Sequence, residues 1–150
     1  MILDKSLLSD GVIELRLTKV LRNIWLAPVA YQYDIFRCNS EIMVGRCDYR
    51  CLNDEENYYA GNIGYMVYQA YRGHHYAYRA SRLLCSLAAD LKAERLYITC
   101  SPDNIASRKT IEKLGADYIE ETEVPKDHYL YAQGEKIKEI FVLKLRGEQN

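Results

Sequence analysis

Ala77, Ala80, Leu83, Leu84, Leu87, Ala88 and Leu91 recur at the three- and four-residue steps that gather side chains on one face of a helix. Arg79, Arg82, Ser86 and Asp90 fall mainly on the opposite face. On either side of this helix the period drops to two. Upstream, "YYAGNIGYMVY" (Tyr58 to Tyr68) is rich in aromatic and β-branched residues, as strands are. Downstream, "RLYITC" (Arg95 to Cys100) alternates, with Leu96, Ile98 and Cys100 together. A helix with one apolar stripe, set between two strands, must bury that stripe against a sheet. The chain is therefore an α/β or α+β domain with a mixed sheet.

The remaining segments extend that sheet. In "VIELRL" (Val12 to Leu17), Ile13, Leu15 and Leu17 share a face, a strand signal. Residues Lys19 to Pro28 read as a short helix or an irregular crossover. "AYQYDIFR" (Ala30 to Arg37) and "EIMVGRCDYRC" (Glu41 to Cys51) read as a hairpin joined by "CNS", and Leu52 to Asn57 as an acidic turn. Gly61 and Gly64 inside the next strand suggest a bulge or a close backbone approach. "SPDN" carries capping residues before a short helix from Ile105 to Leu114, which stops at Gly115 in a left-handed cap. "DYIEETEV" and "KEIFVLKL" are the last strands, separated by Pro125 and a loop ending near Gly134. No repeat or Pro/Gly/Ser-rich linker divides the chain, so residues 1–150 are expected to form a single domain.

Charge and composition narrow the function. A formal net charge of −1 gives no global field toward nucleic acid or an anionic membrane. No apolar run approaches the ~18 residues of a membrane span, and nothing resembles a signal peptide; the expected location is the cytoplasm. Five cysteines without a CxxC pair point to free thiols and no metal site. Tyrosine is the anomaly: there are 14, against two Phe, and seven lie between Tyr58 and Tyr78. Buried phenols need partners, so some of these rings are expected to line a polar cleft.

That crowding peaks in "QAYRGHHYAYRASRLL" (Gln69 to Leu84), where a turn meets the start of the long helix. A helix start presents unsatisfied N–H groups and partial positive charge. Arg72 adds a permanent cation that can fork onto phosphate oxygens, and Gly73 lets the backbone come close. The turn reads as a pyrophosphate cradle, with a solvated turn and an incidental Arg as the alternative.

Arg72, Gly73, His74, His75, Tyr76 and Ala77 occupy the Gln/Arg-x-x-Gly-x-Gly/Ala pattern, and Asn104, Ser107, Lys113, Leu114 and Gly115 match Asn-x-x-Ala/Ser followed by Lys-Leu-Gly. With the order of elements and the strands "YQYDI" and "GNIGY", these motifs resemble the GNAT superfamily of N-acetyltransferases from about Val12 to Leu145. The resemblance implies a mostly antiparallel mixed sheet with helices on both faces. It also implies a central V-shaped splay between Tyr58–Tyr68 and Arg95–Cys100, in which acetyl-CoA lies. The pantetheine arm is expected along the backbone of Met66, Val67 and Tyr68, and the diphosphate on the N–H groups of His74 to Ala77 beside Arg72. Asn104 is expected to hydrogen-bond the pantetheine, and Ser107 to reach toward the thioester. The implied reaction is direct acetyl transfer to a primary amine of a small molecule or protein, with no metal, nucleic acid or membrane partner; a homodimer is plausible by analogy.

Three positions depart from the superfamily pattern. His75 stands where glycine is common, and is tolerated if its φ is negative. Asn62 stands about where many members place a carboxylate base; an amide can only orient water or substrate. Ile111 stands where many place a tyrosine acid. His128 and Tyr129 in "PKDHYLY", and Tyr65, are the replacement catalytic candidates beside Asn62, while Tyr31, Tyr33 and Asp34 are expected to line the acceptor site. The missing acid and base also admit a second reading, a catalytically silent acyl-CoA-binding sensor or assembly module.

Overall fold

The computed structural model describes residues 4–145. In chain order the strands are β1 (Leu7–Ser9), β2 (Ile13–Arg22), β3 (Pro28–Arg37), β4 (Met43–Arg50), β5 (Ile63–Val67), β6 (Arg95–Cys100), β7 (Asp117–Glu123) and β8 (Ile137–Lys144). Helices α1 (Glu55–Ala60), α2 (Tyr76–Asp90), α3 (Ile105–Lys113) and α4 (Tyr129–Ala132) lie between them, and one 3-10 turn spans Gln69–Tyr71. The strands form a five-stranded sheet, β1-β2-β3-β4-β5, and a three-stranded sheet, β6-β8-β7. Every ladder is antiparallel. Two compact units result, residues 4–51 with 63–93, and residues 52–62 with 94–145. No helix among the described residues is long and apolar enough to cross a membrane.

In the first unit the register places Tyr33 opposite Cys47 and Leu17, Tyr31 opposite Tyr49, and Cys47 opposite Tyr65. Strand alternation thus collects Leu15, Tyr31, Tyr33, Ile35, Cys47, Tyr49 and Ile63, all buried, on one face. Helix α2 buries Ala80, Leu84, Leu87 and Ala88 from the stripe read in the sequence, while Ala77, Leu83 and Leu91 at its margins are half-buried. Asp10 ties the helix to the first hairpin: it accepts from the N–H groups of Val12 and Ile13, and from Arg79 Nη1 at 2.9 Å. Burial pushes the Asp10 carboxyl up, but those two N–H groups and Arg79 outweigh it and hold the carboxyl below its ordinary value.

Lys19–Arg22 is strand, not a helix or crossover. A bulge sets Leu17 opposite Tyr33 but Lys19 opposite Gln32, so one extra residue breaks the two-residue alternation just where the sequence stops reading as a strand. The hairpin then turns through residues 23–27. Asn23 Oδ1 accepts from the N–H groups of Trp25 (2.9 Å) and Ala27 (3.1 Å), and Arg22 Nη1 donates to the Leu26 carbonyl (2.9 Å).

In the second unit Leu96, Ile98 and Cys100 are buried with Ile111, Ile140 and Phe141. Residues 55–60, expected as an acidic turn running into a strand, are helical. Asp54 caps the helix by accepting from the Asn57 N–H at 3.0 Å, Glu55 and Glu56 suit its positive end, and Gly61 ends it at φ +87°. Helix α3 stops as read, before Gly115 at φ +85°.

Candidate functional site

The expected site residues fall in both units, and each group takes its geometry from its own unit. In the first, β5 pairs on one side only, with β4. The Tyr68 N–H donates to the Val44 carbonyl at 2.8 Å, so alternation turns the peptide groups of Met66 and Tyr68 toward β4 and those of Tyr65 and Val67 toward the open edge. Of the backbone run expected to receive an extended ligand, Val67 is therefore the residue whose peptide faces outward, with Tyr65 beside it. Gly45 permits this arrangement: a Cβ there would lie 2.2 Å from the Met66 carbonyl oxygen.

The turn after β5 leads into α2. Gly73 has φ +93° and His75 has φ +61°, with no side-chain cap on the helix. The condition set for His75, a negative φ, is thus not met: the left-handed conformation costs a non-glycine residue about 1–2 kcal/mol. Its effect is to fold the chain back so that successive N–H groups meet the helix start. Among the described residues, none of the N–H groups of Gly73, His74, His75, Tyr76 and Ala77 has an acceptor. Arg72 stands at the rim and is held by its Nε, which donates to the Val67 carbonyl at 3.0 Å.

A second cation, absent from the sequence reading, supports the same turn. Arg37, at the end of β3, donates from Nε to the Tyr76 hydroxyl at 3.0 Å. Its guanidinium lies 5.1 Å from the Tyr71 ring centre and 6.0 Å from that of Tyr76, against which the His74 ring stacks at 5.3 Å. Arg37 therefore braces both sides of the turn through cation–π contacts. Nothing in the residues around Arg37 signals this; only the strand register brings it there.

In the second unit, Asn62 is 1% exposed and its amide is committed. Its Oδ1 accepts from the Tyr97 N–H (2.8 Å), its Nδ2 donates to the Leu52 carbonyl (3.1 Å), and its own N–H donates to the Tyr97 carbonyl (2.7 Å). It pairs with β6 as a strand residue would, and its amide is tied into that pairing. His128 is also spoken for. Nδ1 accepts from the Leu130 N–H at 3.1 Å, capping α4, which puts the ring proton on Nε2, 3.0 Å from the Glu56 carbonyl. As placed, both ring nitrogens have protein partners, so a catalytic role for His128 requires it to leave at least one of them. Tyr129 is exposed and stacks on His128, within a cluster that includes Tyr58, Tyr59 and Tyr97. Tyr58 also donates to Glu120. Burial first, and then that carboxylate, push the Tyr58 phenol up to about 12. Asn104 caps α3, its Oδ1 accepting from the Ser107 N–H at 3.1 Å, so its Nδ2 hydrogens are what remain to meet a ligand.

The acceptor lining expected from Tyr31, Tyr33 and Asp34 does not form as a set. Tyr31 and Tyr33 point into the core, where Tyr31 stacks on Tyr49 and Tyr33 donates to the Lys5 carbonyl at 2.8 Å. Asp34, one residue out of phase, lies on the other face between the positions of Arg16 and Arg46. Among the described residues no group of three or more His, Cys, Asp or Glu could hold a metal. The thiols are conditioned by burial, which pushes Cys51 and Cys100 up to about 11 and Cys85 up to about 12.

The family model described as an acetyltransferase (GNAT) domain matches residues 13–117. No curated protein matches. Among solved structures, the ribosomal-protein-S5-alanine acetyltransferase of Vibrio fischeri is similar over 96% of this chain and 99% of its own, at 14% identity and a TM-score of 0.70. A Vibrio cholerae protein, assigned by name alone as a ribosomal-protein-serine acetyltransferase, is similar over 92% of this chain and 97% of its own, at 19% identity and a TM-score of 0.67. The microcin C7 self-immunity acetyltransferase, solved with acetyl-CoA and AMP, is similar over 77% of this chain and 61% of its own, at 19% identity and a TM-score of 0.57. At these identities the shared property is the fold.

Proposed function

This chain belongs to the GNAT acetyltransferase family, and from that premise we propose that it moves an acetyl group from acetyl-CoA directly to a primary amine of a small molecule or protein. The observation that carries this reading is the turn before α2: a run of N–H groups without protein acceptors, braced by two arginines, at the end of a strand with an open edge. Such a run suits a diphosphate. The edge of β5 turned away from β4, with the Val67 N–H facing outward, suits an extended amide-bearing arm, which adds to a sheet edge as a peptide does. A relative in fold was solved with acetyl-CoA, which supports the same ligand here.

In the transfer, the acetyl carbon–sulfur bond breaks as the carbon–nitrogen bond forms. One proton leaves the amine and the sulfur takes one up. In this reading the outward-facing N–H of Val67 favours charge on the thioester oxygen. Tyr65 and Tyr129 stay in this reading as the catalytic residues of the sequence analysis, and the amine proton passes to solvent. Transfer then leans on proximity more than on a strong side-chain base. The engaged side chains of Asn62 and His128 are the specific observation in favour of the second reading, a silent acyl-CoA-binding module.

Calorimetry with CoA, followed by thiol release in the presence of an amine panel, tests both. Arg72→Ala and Arg37→Met are each expected to weaken CoA by about 1.5–3 kcal/mol, roughly 10- to 150-fold in Kd. Unchanged affinity in both variants removes the diphosphate from this turn. CoA binding with no acceptor-dependent thiol release across the panel selects the silent module.

A further inference from the structure

Resting on the acetyl-transfer reading, we propose that the β2–β3 hairpin tip is a docking knob for an acidic protein that carries the acetyl-accepting amine. Ile24, Trp25 and Leu26 are 85%, 81% and 73% exposed, three consecutive large apolar side chains at one loop apex. The loop is rigid rather than loose. Asn23 takes two N–H groups on its side chain, its N–H and carbonyl pair with Ala27 and Leu26, and Arg22 fastens the Leu26 carbonyl. Leu26 sits at φ +66°, a conformation leucine adopts only under constraint. A strained loop, cross-braced by these hydrogen bonds, that holds its apolar groups in water is built to present them.

The shape and charge of the tip select the partner. Small ligands bind in concavities, whereas this tip is convex and needs a cleft in a macromolecule. No Asp or Glu occurs between Leu15 and Tyr33, and Lys19 and Arg22 flank the tip, both exposed. An apolar cleft rimmed by carboxylates complements that pattern. A second copy does not, because a two-fold contact through the tip would bring its cations face to face. Lipid is disfavoured too, since polybasic membrane segments carry about 4–8 cations. The register also places the tip at the reacting end. Ala30 pairs with Arg50 and Tyr49 with Ile63, so the hairpin apex lies at the end of the sheet where β5 begins. With the diphosphate at the opposite end of β5, an extended arm along its edge points its sulfur toward the tip end.

The test uses the full chain and the triple variant Ile24→Ser, Trp25→Ser, Leu26→Ser. Radiolabelled acetyl-CoA is the donor, and the acceptors are cell proteins fractionated by isoelectric point, with ethanolamine as a small amine. Wild type should label acidic proteins. The triple variant should lose at least about tenfold in kcat/KM for them, as loss of an apolar anchor does, while its rate with ethanolamine holds. Lys19→Glu with Arg22→Glu should lose acidic acceptors in the same direction. Equal labelling by wild type and triple variant, labelling of ethanolamine alone, or an equal loss on both acceptor kinds overturns the docking role and leaves acetyl transfer standing. No transfer to any acceptor overturns both. Trp25 is the single tryptophan, so its emission reports the rival occupants. A blue shift with phosphatidylserine-containing vesicles, or with rising concentration of the chain itself, assigns the tip to lipid or to a second copy and overturns the proposal.

Discussion

His128 shows how a side chain suited to catalysis can be absorbed by structure. Its two ring nitrogens fix opposite ends of a short stretch, one accepting from Leu130 and the other meeting the Glu56 carbonyl. Replacing it with alanine strands the Leu130 N–H and removes a helix cap, at a cost of about 1 kcal/mol. The expected outcome for His128→Ala is a lower denaturation midpoint with kcat/KM held within about twofold, whereas loss of a true general base lowers the rate by about 10²–10⁴. A steady-state comparison at a temperature where both proteins are folded decides this. Residue identity alone could not separate the roles, because a histidine in "PKDHYLY" has the right chemistry for either. Asn62 and Arg37 make the same point in opposite directions. The first is chemically apt but buried in a backbone ladder, and the second is unremarkable in sequence yet braces the turn before α2.

At the scale of elements, the open edge of β5 depends on how closely β4 approaches it. Gly45→Ala would place a methyl 2.2 Å from the Met66 carbonyl oxygen, a backbone atom that cannot swing aside. The expected result is a loss of about 1–3 kcal/mol in stability, accompanied by weaker CoA binding as the edge moves; denaturant titration and calorimetry measure the two. Elements with an undisturbed period were legible beforehand: α2 from its stripe, β6 from strict alternation, and the end of α3 from Gly115. Those missed have a local break. Strand β2 has an extra residue at its bulge, and α1 is short enough that only its cap and its glycine stop, Asp54 and Gly61, announce it. The mutual placement of Tyr31, Tyr33 and Asp34 failed for a simpler reason: adjacent strand residues point to opposite faces.

For the whole molecule, a ligand that binds only the folded chain must raise its unfolding temperature. At CoA concentrations near a hundred times Kd the gain is about 2.7 kcal/mol, or roughly 5–10 °C for a chain of this length. Scanning calorimetry with and without CoA checks it, and an unmoved transition removes the nucleotide from the fold altogether. The whole is legible from sequence to the extent that its family is, because the motifs at Arg72–Ala77 and Asn104–Gly115 name the turn and the cap. Its acceptor is not, because no motif encodes it and the alternation concealed the form of the β2–β3 hairpin proposed to recognise it. The burial of the cysteines has a practical corollary. Cys51, Cys85 and Cys100 remain protonated far above neutrality, and a protonated sulfur is a poor nucleophile. Colorimetric disulfide reagents added to the native protein at neutral pH should therefore respond to product carrier rather than to these three side chains, so turnover can be followed continuously once the half-buried Cys38 alone has been replaced by serine.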